Sequence, residues 1–421
     1  MLKQIEGSRG MAEAIALCRP EVICAYPITP QTHVVEALGE FVKSGSLTPC
    51  EFINVESEFS ALSVAIGASA AGARAYTATS SQGLLFMAEA LYNASGLGLP
   101  IVMTLGNRAI GAPINIWNDH SDAMSMRDAG WIQLFARDNQ EAADLHVQAF
   151  RLAEALSCPV MVCVDGFILT HAFERVDVPT QGEVDAFLPR YEPVQVLDPA
   201  DPMTIGAMVG PDAFAEVRWL AHHKQLRALE MIPAIASEFE QRFGRRSGGL
   251  LRPYRTDGAE TIVVAMGSVN GTIEVVVDAM RAGGVPIGAL DLCTFRPFPA
   301  DAVREALRGA RRVIVVEKNL ALGMGGVLAS DVRMALRGEP TDVQTVVHTV
   351  VAGLGGRAIT QASLGRVFAE GHAGKLGELH MLDLDWGVVQ REVARMSENR
   401  RSGPTASNVL RDVGPSMRRI G

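Results

Sequence analysis

The sequence predicts an α/β protein, a doubly wound parallel sheet followed by a second and smaller α/β unit, and three observations predict it. Short apolar runs such as Val22–Tyr26, Phe52–Val55, Arg74–Thr79 and Pro100–Leu105 each stop at a polar or glycine-bearing turn that opens a helical spacing. That repeat recurs about five times before residue 165, the pattern of parallel strands joined by crossover helices. The pattern then resumes at Thr261 after a stretch of different character, and 421 residues exceed what one ordinary core organises, at about 100–200 residues per domain.

The composition narrows the function before any motif is read. Apolar content of 48% with 20% charged residues describes a well-buried globular chain. A net charge of −9, with arginines gathered only as pairs such as Arg245-Arg246 and Arg311-Arg312, argues against nucleic acid or anionic membrane as a partner, because both are bound by neutralising phosphates. The first ten residues lack the apolar centre of a signal peptide, and no apolar run reaches the ~18–20 residues of a spanning helix, so a cytoplasmic location is expected. The six cysteines include no CxxC pair and fit neither zinc nor an iron–sulfur cluster; they read as buried small apolar residues. No metal site is marked by spacing, and adjacent His222-His223 point to different faces of their helix. A mean hydropathy of +0.16 predicts large subunit interfaces as the sink for apolar surface.

Taken in order, Val22–Tyr26 is a buried strand that ends in Pro27-Ile28-Thr29-Pro30, where Thr29 and Pro30 read as the N-cap and first position of the next helix. Phe52–Val55 leads into a helix of small residues, Phe59 to Gly72, with Glu56-Ser57-Glu58 at the junction. Arg74–Thr79 enters Ser80-Ser81-Gln82-Gly83 and a helix through Ala94, and Pro100–Leu105 leads into Gly106-Asn107-Arg108 and a loop running to Asp122. Ile132–Phe135, a helix over Gln140–Leu156 and Val160–Val164 complete the unit. A long charged helix over Asp212–Arg242 reads as a connector. The second unit alternates strands Thr261–Met266, Pro286–Leu290, Arg312–Glu317 and Val346–Val351 with helices Thr272–Ala282 and Ala300–Gly309. Gly323-Met324-Gly325-Gly326 has the glycines of a phosphate cradle but not the Walker A or GxGxxG spacing, so close packing or a subunit contact is the expectation. Past Leu376 the chain is polar and arginine-rich, a tail that would order against a partner.

Four consecutive strand ends thus carry Thr29, Glu58, the Ser80–Gly83 turn and Arg108, and in a doubly wound sheet those ends share one ligand-binding edge. A lone acid in the first turn of a helix ordinarily complements the macrodipole, worth a few tenths to ~1 kcal/mol. Convergence is what raises Glu58 above that reading and makes it the candidate catalytic residue.

Tyr26-Pro27-Ile28-Thr29-Pro30, Glu56-Ser57-Glu58, Thr79-Ser80-Ser81-Gln82-Gly83, Asn107-Arg108-Ala109 and the stretch Pro113–Asp122 resemble, in that order, the α subunit of the thiamine-diphosphate-dependent 2-oxoacid:acceptor oxidoreductases, whose best-known members are the pyruvate:ferredoxin oxidoreductases. Asp165–His171, Gly267-Ser268 and Asp291–Pro299 extend the resemblance over roughly residues 5–365. It implies a domain over residues 1–190 that binds the aminopyrimidine half of the cofactor, a helical connector over 191–257, a domain like the C-terminal one of transketolase over 258–365, and a tail over 366–421. Glu58 matches the carboxylate that hydrogen-bonds the pyrimidine, Pro27, Ile28, Ser81, Gln82 and Gly83 match cofactor contacts, and Arg108 with Thr29 matches the group that receives the substrate carboxylate. Asp119 and His120 would brace their loop or meet a partner chain.

The family reaction is a coenzyme A-dependent oxidative decarboxylation of a 2-oxoacid whose electrons leave through [4Fe-4S] clusters to ferredoxin or NAD. The GDG that holds magnesium and diphosphate is missing here, as are clustered cysteines. The resemblance therefore implies a β subunit with GDG, an iron–sulfur ferredoxin-like subunit, a γ subunit, and room for a flavin or NAD subunit. Two alternatives stay open: a subunit of a non-oxidative thiamine diphosphate decarboxylase, and a non-catalytic assembly subunit, against which intact Thr29, Glu58 and Arg108 tell. Pyruvate and a bulkier acid such as phenylglyoxylate also stay open, because Ala109-Ile110-Gly111-Ala112 offers space beside the substrate if it lines the pocket.

Overall fold

Seven strands make the first sheet of the computed structural model, which describes residues 2–337, 345–398 and 405–413. Their spatial order is Thr294–Arg296, Ile132–Phe135, Val160–Asp165, Val102–Asn107, Ala75–Thr79, Val22–Cys24 and Glu51–Ile53. All are parallel except Thr294–Arg296, which the second unit lends to the edge antiparallel to Ile132–Phe135. Central strands Val102–Asn107 and Val160–Asp165 are buried along their whole length, the consequence of helices covering both faces.

The second sheet runs Leu379–Met381, Val346–Val351, Arg312–Glu317, Thr261–Ala265, Ile287–Leu292 and Leu251–Tyr254. Its last strand is antiparallel and lies inside the stretch read from sequence as connector. Leu379–Met381 lies in the stretch read as tail and pairs in parallel with Thr349–Val351. Helix Gln361–His372 runs into that stretch and packs in the core of this unit, and Trp386–Glu398 and Thr405–Asp412 lie within the stretch, so the polar tail is a correction: its first part is built into this unit. Ser402-Gly403-Pro404 falls outside the described residues. One apolar core spans both units, joining Leu62, Met103 and Met161 to Ile262, Leu290 and Phe295.

Local chemistry explains the helices that matter here. Glu58–Ala70 is capped by Ser57, whose Oγ accepts from the Ser60 N–H at 3.2 Å, and its buried face of Ala61, Ala65, Ser69 and Ala70 lets it approach the sheet closely. Asn139–Leu156, capped by Asp138, is crossed by the second half of Phe214–Phe243, which buries Ala228, Ile232, Ile235 and Phe239. The first half of that 30-residue helix is exposed, Trp219 at 64%. The helix after Thr29-Pro30 starts only at Thr32, so Thr29 is not its N-cap: Gln31 precedes the helix, with its amide donating to Tyr26 O and Ala78 O, while the Thr29 carbonyl is engaged by Arg108. The helix expected from Ser80 to Ala94 is two, Gln82–Phe86 and Ala88–Leu97. Five cysteines are buried and Cys50 is half-buried.

Candidate active site

Val22–Cys24 has Glu51–Ile53 on one side and Ala75–Thr79 on the other, so the winding reverses there, and a doubly wound sheet offers its crevice at that reversal. Thr29, Glu58, Ser80 and Arg108 all follow the carboxyl ends of strands around it. The turn after Ala75–Thr79 binds the group together. Gln82 Oε1 accepts from Arg108 Nη2 at 3.3 Å, and Arg108 Nη1 donates to the Thr29 carbonyl at 2.8 Å. Gly83 lies against Glu58: a Cβ there would meet Thr79 Oγ1 and would stand 2.7 Å from Glu58 Cγ and 2.8 Å from its Oε1.

Glu58 opens its helix and is 9% exposed. Among the described residues no group hydrogen-bonds to its carboxylate. The carboxylate oxygens keep solvent contact instead, so both acceptors are open to a ligand. Its place in the first turn also complements the helix macrodipole.

Arg108 is 6% exposed and makes no ion pair among the described residues. Its donors go to carbonyl and amide oxygens of Thr29, Asn115 and Gln82. Burial lowers its basicity and the nearby Asp122 partly restores it. The guanidinium is thus buried and oriented by neutral oxygens, with no carboxylate paired to it among the described residues.

Asp122 organises this corner and carried no assigned role in the sequence. Its two oxygens accept from Ser81 N–H, Arg108 N–H, Asn107 Nδ2 and Ala123 N–H at 2.8–3.0 Å. Burial pushes it up to about 7 against those four donors. Ser81 needs the help: its φ of 47° is left-handed for a non-glycine residue, a cost of roughly 1–3 kcal/mol, and its Oγ also donates to Ala109 O at 2.6 Å. Held strain at a ligand edge is a usual companion of function.

A second hub fixes the loop that follows Arg108. Asp165, at the end of its strand, accepts from Asn118 Nδ2 at 2.9 Å, His120 Nε2 at 2.7 Å, Lys318 Nζ at 2.5 Å, Ser268 N–H at 2.9 Å and Ser268 Oγ. Burial works to raise Asp165, but Lys318 and His120 hold it well below the usual carboxylate range. Asp119 caps Ser121 and accepts from Gly355 N–H, and Asn115 donates to Gly355 O. Asp119 and His120 therefore brace the loop, and Lys318 and Ser268, both from the second unit, were not read as site residues. Their only signal was position, each following a strand end of the second sheet.

Two features test the fit of an aminopyrimidine. Thr79 Oγ1 and Ser80 Oγ are buried without a hydrogen-bond partner, and the absence of a Cβ at Gly83 leaves the space beside Glu58. Pro27 and Thr29 stand exposed on the lip and Ile28 is half-buried. A polar, flat ring facing a partnerless carboxylate fits that set. The Gly323–Gly326 turn does not serve as an anion cradle: the N–H groups of Val327, Leu328 and Ala329 are taken by the Glu317 carboxylate, against which Gly326 packs.

Both units of the chain match known families. Residues 13–236 match the family described as "Pyruvate flavodoxin/ferredoxin oxidoreductase, thiamine diP-bdg", and residues 259–364 match "Pyruvate:ferredoxin oxidoreductase core domain II". The chain is 48% identical over 369 residues to pyruvate synthase subunit PorA of Methanosarcina barkeri, covering 87% of this chain and 91% of that one. It is 42% identical to PorA of Thermotoga maritima, covering 88% and 95%, and 37% identical to ketoisovalerate oxidoreductase subunit VorA of Pyrococcus horikoshii, covering 85% and 90%. Among solved structures, the fold resembles a 2-oxoglutarate:ferredoxin oxidoreductase from Magnetococcus marinus with a TM-score of 0.66 at 19% identity, spanning 88% of this chain and 65% of that one. It also resembles a split-gene transketolase with a TM-score of 0.51 at 14% identity, spanning 89% and 100%. On these matches the chain belongs to the pyruvate:ferredoxin oxidoreductase family, as an α subunit of the PorA type.

Proposed function

We propose that this chain supplies half of a shared active site in which pyruvate is oxidatively decarboxylated to acetyl-CoA and carbon dioxide. The observation that carries the proposal is the buried, ion-pair-free Arg108 guanidinium held beside the Glu58 crevice. Thiamine diphosphate, when bound, supplies the nucleophilic carbon and electron sink that the bond cleavage requires. Glu58 accepts a hydrogen bond from the ring and holds or returns a proton there. Arg108 forks onto the substrate carboxylate, and Thr29 O, Asn115 O and Gln82 Oε1 keep the fork oriented.

The small acid is favoured because the space beside Gly111 is already occupied: a Cβ there would stand 2.7 Å from Gln82 Nε2. The PorA relatives point the same way. The missing functions fall to other chains: a β subunit with GDG for magnesium and diphosphate, and a ferredoxin-like subunit with [4Fe-4S] clusters, completed by a γ subunit. Cytoplasmic location fits such an assembly, and no described helix is long and apolar enough to cross a membrane.

The test is an assay of the chain alone and of the complex isolated with its co-expressed partners, on pyruvate, 2-oxoisovalerate and phenylglyoxylate, with coenzyme A and ferredoxin. Pyruvate should give the highest kcat/KM and the isolated chain none. Turnover by the lone chain would refute a shared site, and a preference for phenylglyoxylate would refute the substrate.

A further inference from the structure

One polar cluster is used by none of these steps. Glu6 ends the strand Leu2–Glu6, His33 is the second residue of the helix Thr32–Lys43, and His171 lies in the turn between Val160–Asp165 and Phe173–Asp177. Each offers one ligand atom, and the three atoms lie within 4.8 Å of one another. Glu6 Oε1 and His33 Nδ1 are 2.6 Å apart, and the two imidazole rings stand 4.7 Å apart between centroids, tilted by 37°. We propose that Glu6, His33 and His171 form a divalent metal site that takes zinc, with water completing its coordination.

The ligand chemistry supports the assignment. Two imidazoles and a carboxylate are a mixed set that zinc accepts at about 2.0–2.2 Å, which places tetrahedral neighbours roughly 3.3–3.5 Å apart. The Glu6–His33 pair at 2.6 Å is closer than that and must spread to admit the ion; His33, with 46% of its side chain exposed, can rotate to do so and provides the entry path. His171 is prepared from behind. Thr170 Oγ1 accepts from the Phe167 N–H at 2.8 Å and lies 2.7 Å from His171 Nδ1; with Nδ1 donating to its second lone pair, Nε2 keeps the free pair that a metal needs. Because the ligands come from three distant stretches, no sequence spacing reveals them. The ion would clamp the N-terminal strand to the helix that follows Thr29-Pro30 and to the turn beyond Asp165.

The test uses the complex isolated with its partner subunits, equilibrated with zinc, desalted, and analysed for zinc and iron by mass spectrometry. Wild type should carry about one zinc more per copy of this chain than either His33→Ala or His171→Ala, with iron unchanged. Zinc should raise the melting temperature of wild type and leave that of His33→Ala unmoved. Zinc retained by either variant, or a wild type holding no more than the variants, overturns the site and leaves a simple Glu6–His33 hydrogen bond. His33 is exposed and Glu6 and His171 are half-buried, so these substitutions leave the fold available for measurement.

Discussion

At the scale of single residues, Glu58 and Arg108 differ in how they hold their charge, and their tests differ accordingly. Glu58→Gln keeps the size of a group that has no protein partner, so the fold should be unaffected while proton movement at the ring is lost. Hydrogen exchange at the thiazolium carbon should fall by ~10²–10⁴, the usual worth of a positioned acid–base group; exchange at the wild-type rate would reduce Glu58 to its macrodipole role. Arg108→Lys keeps the charge and loses the fork. The Michaelis constant for pyruvate should rise by an amount equivalent to ~2–5 kcal/mol, and an unchanged constant would take Arg108 out of the pocket. Both residues were legible because strand ends of a doubly wound sheet converge. Asp122 was not, because three of its four donors are main-chain N–H groups, and main-chain partners leave no trace in residue identity.

At the scale of the element, the turn from Ser80 to Gly83 couples the two ends of the site. Its position was legible from the polar break after an apolar run. Its left-handed Ser81 was not, since that conformation is held by tertiary contacts with Asp122 and Ala109, and neither was its division into two helices at Met87. Gly83→Ala would put a methyl group where Glu58 now lies. The Glu58 side chain can swing away but the buried Thr79 Oγ1 against the same methyl cannot, so the melting temperature should fall while thiazolium exchange drops toward that of Glu58→Gln. Wild-type exchange in Gly83→Ala would show that the Glu58 position is not critical. Gly111→Ser presses on Gln82 Nε2, the amide whose oxygen faces Arg108, and should depress activity with phenylglyoxylate more than with pyruvate, by about the 1–3 kcal/mol that pocket contacts command. Equal effects on the two acids would assign Gly111 to the loop backbone.

At the scale of the molecule, the two units were legible as separate repeats, but their joining was not. The antiparallel edge strands Thr294–Arg296 and Leu251–Tyr254 are short, and a run of three or four residues carries no periodicity. The polar seam at Asp165 was hidden because its members lie 45 to 153 residues away in sequence. That seam yields a test with a defined pH sign. Asp165 is held below the ordinary carboxylate value, so its contribution to stability is present above about pH 4 and is lost as the pH falls through its folded value. Asp122, Asp291 and Glu317 are pushed up to about 7, chiefly by burial. In the folded state they hold protons between about pH 4 and 7 that the unfolded chain releases, so they subtract stability as the pH rises through that window. Lys318→Met leaves those three in place and strips Asp165 of its ammonium partner, keeping His120, Asn118 and Ser268. Removing one member of a buried pair costs ~3–5 kcal/mol because the remaining charge is uncompensated. That cost should be greatest at neutral pH and should shrink on acidification, as Asp165 in the variant takes up a proton that the wild type excludes. Melting temperatures of wild-type and variant complexes across pH 5 to 8 should therefore converge toward the acid end. A gap of constant size would mean that Asp165 carries no charge at this seam, and that Lys318 joins the two units through packing of its alkyl stem.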